Sequence, residues 1–111
     1  MTGWSQFDKG HSIGLTGSED GVILRDEEHV DGARVTLERV NIDRFTATCG
    51  IYGWMVHTRF FDSERNGLTG FEETKLELTN ILRLIPFEVQ ANEGAMNAVE
   101  TAIADFIDRC Q

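Results

Sequence analysis

The sequence has one proline, two cysteines and no long apolar run among its 111 residues. A membrane-spanning helix needs about 20 consecutive apolar residues, so none is expected. The first ten residues, MTGWSQFDKG, lack the basic and then apolar order of a secretory signal, which predicts a cytoplasmic protein. Cys49 and Cys110 show no metal-ligand spacing, and reduced thiols are predicted for them in that compartment.

Basic residues are also scarce, with 10 Lys and Arg against 19 Asp and Glu, and the formal net charge is −9. A surface with this excess repels phosphate backbones and anionic lipids, so nucleic acid and membranes are not expected as partners. Two interpretations of the charge remain open. It either keeps an ordinary acidic protein soluble, or it steers the chain toward a basic protein partner.

Motifs that carry catalysis are absent as well. The chain has no phosphate-binding glycine-rich loop, no dinucleotide fingerprint and no convincing nucleophile elbow. His11, His29 and His57 are scattered, without the short spacings of a zinc site, and Cys49 has no recognisable base nearby in the sequence. We therefore expect no metal and no cofactor, and the sequence favours a protein that is not an enzyme.

Before residue 62, the sequence consists of short segments of alternating apolar and polar residues, separated by turn residues. This pattern predicts an antiparallel meander of about four strands. Asp31-Gly32 predicts a two-residue type I′ hairpin turn that pairs Val30 with Ala33. In that register Asp26 and Glu28 fall on the apolar face, which predicts that they lie at the rim of the sheet or in a longer loop.

The C-terminal part predicts two α-helices with a connector after Pro86. The first could begin with a capping box, Thr69 followed by Glu72, or earlier, near Ser63. Its apolar positions are Phe71, Leu78, Ile81, Leu82 and Ile85. The second has the clearest stripe of the chain: Met96, Val99, Ile103, Phe106 and Cys110. Together these elements predict one α+β domain over residues 1–111, an antiparallel sheet with both helices on one face in the order ββββαα.

The stretch CGIYGWMVHTRFF, residues 49–61, is the candidate site. The strand-like region from 45 to 61 is too long for one flat strand, and Gly50 and Gly53 predict a bend that turns Tyr52 or Trp54 away from the helix-covered face. Beyond the bend, His57 and Arg59 share a face.

Each candidate residue also has a purely structural interpretation. Tyr52 and Trp54 are typical of core or interface anchors, His57 of a hydrogen-bonded core or rim histidine, and Arg59 of an ion pair.

Two functions of different class follow. The first is a small acidic interaction domain without catalytic activity, which binds a protein partner, as an immunity protein binds a basic toxin, or forms a homodimer. The second is a small-molecule binder or minor enzyme with a pocket between sheet and helices, lined by Tyr52, Trp54, His57 and Arg59.

Overall fold

A computed structural model describes residues 3–86 and 92–111 as an antiparallel sheet followed by two helices. The sheet has the order β1-β2-β3-β4-β5, and each strand pairs with its neighbour in the chain. The elements are β1 (Trp4–Gln6), β2 (Val22–His29), β3 (Ala33–Asn41), β4 (Arg44–Ile51), β5 (Met55–Phe61), α1 (Glu64–Leu82) and α2 (Glu93–Arg109). The predicted α+β fold is confirmed, with five strands rather than about four. Of the predicted connector FEVQANEG, residues 87–94, residues 87–91 lie outside the described residues, and Glu93 and Gly94 belong to α2.

One extra strand arises because the region from 45 to 61 reverses direction instead of bending. Residues 52–54 form a tight turn in which the Trp54 N–H donates to the Ile51 carbonyl at 2.9 Å. Gly53 adopts φ 83°, which is a conformation that favours glycine. The chain therefore returns as β5 along β4, with Ile51 opposite Met55.

The predicted β2–β3 hairpin is right, but its register is wrong by one residue. His29, not Val30, pairs with Ala33, and the loop has three residues. The Gly32 N–H donates to the His29 carbonyl at 3.0 Å, and Gly32 follows at φ 103°, as in three-residue hairpin loops that end in a left-handed glycine. Because side chains alternate along a strand, this shift moves Asp26 to the face opposite the helices.

Both helices cover one face of the sheet and bury its apolar side chains. The buried apolar residues of this face are Trp4, Ala33, Val35, Leu37, Phe45, Ala47, Cys49 and Ile51. Those of the helices and of the residue that caps the end of α2 are Phe71, Leu78, Ile81, Leu82, Val99, Ile103, Phe106 and Cys110. Gly67 and Gly70 let α1 approach closely, since a Cβ at Gly70 would overlap the Phe61 ring and one at Gly67 would lie 3.3 Å from Leu37. Among the described residues the opposite side carries no α-helix, only the short 3₁₀ helix Phe7–Gly10, and it is called the helix-free face below.

The helix ends follow capping chemistry. Ser63 caps α1, because its Oγ accepts from the Asn66 N–H at 3.1 Å, so the early start is confirmed and the capping box at Thr69 is wrong. Asn92 caps α2 in the same way. The stripe on α2 is confirmed at four of its five positions as buried, and Met96 is half-buried.

Candidate functional site

The helix-free face contains a cleft of about 830 Å³. Residues 16–18 of the loop before β2 form one wall, and the β4–β5 turn with the start of β5 forms the other. Its floor includes Ile23, Arg34, Thr36 and Thr48 from the three central strands. Because no residue of α1 or α2 lines it, this cleft is separate from the space between sheet and helices where the sequence placed a pocket.

Two of the four predicted site residues line the cleft. Tyr52 and Trp54 both belong to the β4–β5 turn, where Tyr52 is 53% exposed and Trp54 is half-buried against the core. The Tyr52 N–H donates to the Gly32 carbonyl at 2.9 Å, which ties this turn to the neighbouring hairpin loop. The two aromatic side chains are therefore presented from a fixed turn.

The other two, His57 and Arg59, lie on the helix-covered face. His57 Nε2 is 2.7 Å from the Cys110 carbonyl oxygen, and its ring meets Phe106 edge-on. Arg59 donates to Thr74 Oγ1 at 2.8 Å and forms an ion pair with Glu73 at 3.0 Å. The structure thus uses both side chains to attach the helices to β5, and does not bring them together with Tyr52 and Trp54.

The buried carboxylate of Asp26 fixes the guanidinium of Arg34 in the floor of the cleft. Asp26, which is 1% exposed, accepts hydrogen bonds from Arg34 Nε (2.9 Å) and Nη2 (2.7 Å) and from the hydroxyls of Ser12 (2.8 Å) and Thr36 (3.0 Å). The bond to Asp26 raises the pKa of Arg34 above its ordinary value. The Phe7 ring lies 3.5 Å from the guanidinium carbon of Arg34. Arg34 is therefore held rigidly and its charge is compensated within the floor.

An acid also stands beside the aromatic turn. The Tyr52 hydroxyl donates to Glu28 Oε2 at 2.6 Å. Desolvation, followed by the bond to Glu28, raises the pKa of Tyr52 to about 12. Tyr52 is therefore a neutral donor at physiological pH, and the Glu28 side chain accepts its hydrogen bond at this edge of the cleft.

The loop wall is built around a second buried carboxylate, that of Glu38, which is 0% exposed. Glu38 accepts from the N–H groups of Gly21 and Glu19, each at 3.1 Å, and Gly17 leaves the room that its side chain occupies. Burial raises the pKa of Glu38; the hydrogen bonds from Gly21 and Glu19 oppose the shift, and the nearby charges of Glu19 and Asp20 add to it. Glu38 thus anchors the loop through main-chain donors.

We expect the stability of the chain to fall as pH rises through the folded-state pKa of Glu38. Its folded pKa lies above the unfolded value, so the folded state holds the proton more strongly and the ionised form is penalised at higher pH. Glu38→Gln removes the charge but keeps an acceptor, so its stability relative to the native chain should grow with pH. Glu38→Ala orphans the loop N–H groups and should cost about 1–3 kcal/mol.

Urea unfolding at several pH values measures both effects. Glu100→Gln, an exposed acid on α2, is the matched control and should follow the native pH profile. A Gln variant that kept the native profile would show that Glu38 is not the group responsible.

Cys49 limits the chemistry that the site offers. The thiol is 1% exposed, and desolvation raises its pKa to about 12. Its Sγ donates to the His57 carbonyl at 3.4 Å, while the His57 ring is directed toward Cys110. The thiolate needed for nucleophilic attack is therefore disfavoured.

Within residues 3–86 and 92–111, no cluster of three His, Cys, Asp or Glu side chains could hold a metal ion. In the same part of the chain, neither helix is long and apolar enough to cross a membrane.

Sequence reasoning missed Asp26, Arg34 and Glu38 as parts of the site. Their signal is the placement of an acid and an arginine on neighbouring strands, which is readable only once the hairpin register is known.

Comparison of the chain with protein-family models, with curated proteins and with solved structures finds no match.

Proposed function

We propose that the chain is an interaction domain without catalytic activity, and that the cleft on its helix-free face binds a basic segment of a partner protein. The observation that carries this proposal is the cleft itself, whose aromatic turn is hydrogen-bonded to an acid at the edge of the cleft. Tyrosine and tryptophan held in a defined geometry are typical anchors of protein interfaces, because they bury a large area at a small entropic cost.

The charge around the cleft favours a basic partner. Arg34 is already compensated by Asp26, whereas the half-buried Glu28 accepts the Tyr52 hydroxyl at the edge of the cleft. Glu19 and Asp20 directly follow the wall residue Ser18 in the chain. With the net charge of −9, these acids would accelerate encounter with a positive segment and repel an acidic one.

The aromatic turn adds affinity for a cation. A guanidinium or ammonium group over Tyr52 or Trp54 would gain about 0.5–2 kcal/mol from the ring, and Glu28 would complete the contact through its carboxylate. The same pair would reject a carboxylate-bearing segment, since Glu28 would then face a like charge.

We expect a peptide of alternating arginine and leucine to bind the cleft and a peptide of alternating glutamate and leucine to be rejected. NMR titration of the labelled chain should shift the Trp54 indole signal and spare the Trp4 indole, which is buried and bonded to Thr79. Glu28→Gln and Tyr52→Ala should each weaken binding about ten-fold, a loss of about 1.4 kcal/mol.

Asp43→Asn, an exposed acid in the β3–β4 turn, is the matched control and should bind as the native chain does. Raising salt should weaken the interaction, because the charges involved are at the surface. Equal binding of the two peptides, or shifts confined to other surfaces, would contradict the proposal.

A second candidate is supported by the size of the cleft. A volume of about 830 Å³ lies within the range of about 300–1,000 Å³ that is usual for small-molecule sites, and the lining includes the apolar side chains of Ile23, Met55 and Trp54. An uncharged aromatic fragment library, screened by the same Trp54 signal, separates the two. Fragment binding that Glu28→Gln leaves unchanged would favour the small-molecule function.

A further inference from the structure

The strand β5 forms an edge of the sheet that lacks the usual protection. Among the described residues it pairs with β4 alone, so the main-chain groups on its other side have no strand partner there. Val56 is 77% exposed and Phe60 is 52% exposed on the helix-free face. Proteins usually protect a free edge with charge, proline or a bulge. The only charged residue of β5, Arg59, is turned to the helices and paired with Glu73.

The residues of β5 form a pattern that reads the same in both directions. MVHTRFF has Thr58 at its centre, a polar residue on either side, and two apolar residues at each end. A strand that pairs antiparallel with its own copy about a two-fold axis at Thr58 places Val56 opposite Phe60 and Met55 opposite Phe61. Every apolar residue of the strand then lies opposite an apolar residue of the copy, on the same face of the combined sheet.

From this self-complementary edge we infer that two copies of the chain associate through β5, with the two-fold axis at Thr58, to form one continuous ten-stranded sheet. A two-fold interface requires a patch that complements itself, and the pattern of β5 meets that requirement. His57 meets Arg59 of the partner subunit in this register, and the charge of each Arg59 is already compensated by Glu73.

The association also alters the cleft. Val56 lines the cleft and lies at its outer end, on the edge strand. In the dimer, Phe60 of the partner subunit packs against Val56 and extends the apolar wall. Each subunit thus contributes an aromatic ring to the border of the other subunit's cleft.

Salt should affect this association in the direction opposite to its effect on a basic ligand. Two chains of charge −9 repel each other, so screening should strengthen the dimer. A basic peptide would instead be released by salt. The salt dependence therefore distinguishes the dimer contact from peptide binding in one protein sample.

Sedimentation equilibrium of the full chain tests the inference, and the native protein should show twice its chain mass of 12.5 kDa. Phe60→Lys, a residue outside the cleft lining, and Val56→Lys should each reduce the mass to that of one chain by placing two ammonium groups in the seam. Val30→Lys and Ile42→Lys are matched controls, since these residues are 82% and 93% exposed in turns, and both should remain dimeric. Circular dichroism verifies that all four variants are folded.

Cysteine at the axis gives an independent readout of the register. Thr58→Cys places two thiols opposite each other and should cross-link under mild oxidation, whereas Ile42→Cys should not. A native chain that stays monomeric at its highest soluble concentration in high salt would overturn the inference. So would a dimer that survives both lysine substitutions in β5, or a dimer in which Thr58→Cys fails to cross-link.

Discussion

Phe106→Ala is expected to lower the free energy of unfolding by about 3–5 kcal/mol, which is the usual cost of removing a fully buried aromatic side chain. Phe106 is 0% exposed at the centre of the α2 stripe, and its ring packs edge-on against His57 at a centroid distance of 5.9 Å. The alanine leaves a cavity between α2 and β5 that neither rigid element can close. The loss includes the transfer energy of the ring and the lost dispersion contacts around it.

Urea unfolding measures this loss, and the Phe60→Lys background keeps dimerisation from contributing to the measured stability. Leu76→Ala is the matched control, because Leu76 lies on α1 with 55% of its surface exposed and should change stability by less than about 0.5 kcal/mol. An unchanged midpoint for Phe106→Ala would mean that the stripe of α2 faces something other than the sheet.

The helices were predictable because their signals are local. Spacings of three and four residues place Val99, Ile103 and Phe106 on one side of α2 whatever they contact. The true start of α1 was harder to identify, because Gly67 and Gly70 are poor helix formers. Their role is tertiary, since α1 can lie close to Leu37 and Phe61 only without side chains there. Helix propensity alone cannot show that requirement.

The sheet was predictable in kind but not in register. Asp31-Gly32 marks a turn, yet two-residue and three-residue loops both use glycine with positive φ. The one-residue difference decides which face Asp26 occupies. A bulge in β2 between Ile23 and Arg25 changes the alternation again, so that Ile23 and Asp26 lie on the same face although they are three residues apart. A sequence pattern that assumes strict alternation misses both effects.

The candidate site was predictable only where its residues are close in the sequence, because contacts between strands depend on the register. Tyr52 and Trp54 lie in one turn, and Gly50 and Gly53 beside them predict an irregularity of the strand at that point. Asp26, Arg34 and Glu38 come from different strands and meet only through the register. His57 and Arg59 were grouped with the aromatic pair because they are close in sequence. Strand alternation then turned their side chains to the helices.

Asp26→Ala is expected to be the most destabilising change in the floor of the cleft, with a cost of about 3–5 kcal/mol. The carboxylate satisfies four donors from three residues: two from the Arg34 guanidinium, and one each from the hydroxyls of Ser12 and Thr36. Its removal leaves a half-buried cation without its counter-charge and two hydroxyls without an acceptor. Stabilities from urea unfolding give the measurement.

A double-mutant cycle separates the ion pair from the rest of the network. Arg34→Met fills a similar volume without charge, and the Asp26→Asn, Arg34→Met double variant should recover part of the loss seen with Asp26→Asn alone, because no uncompensated cation remains. Asp31→Asn, whose native side chain is 71% exposed, is the matched control and should cost less than about 0.5 kcal/mol. Strictly additive losses for Asp26 and Arg34 would contradict a coupled network. Coupling would instead explain how Arg34 stays ordered in the floor of a cleft that is open to solvent. Its guanidinium is held by the Asp26 carboxylate on one side and by the Phe7 ring above it.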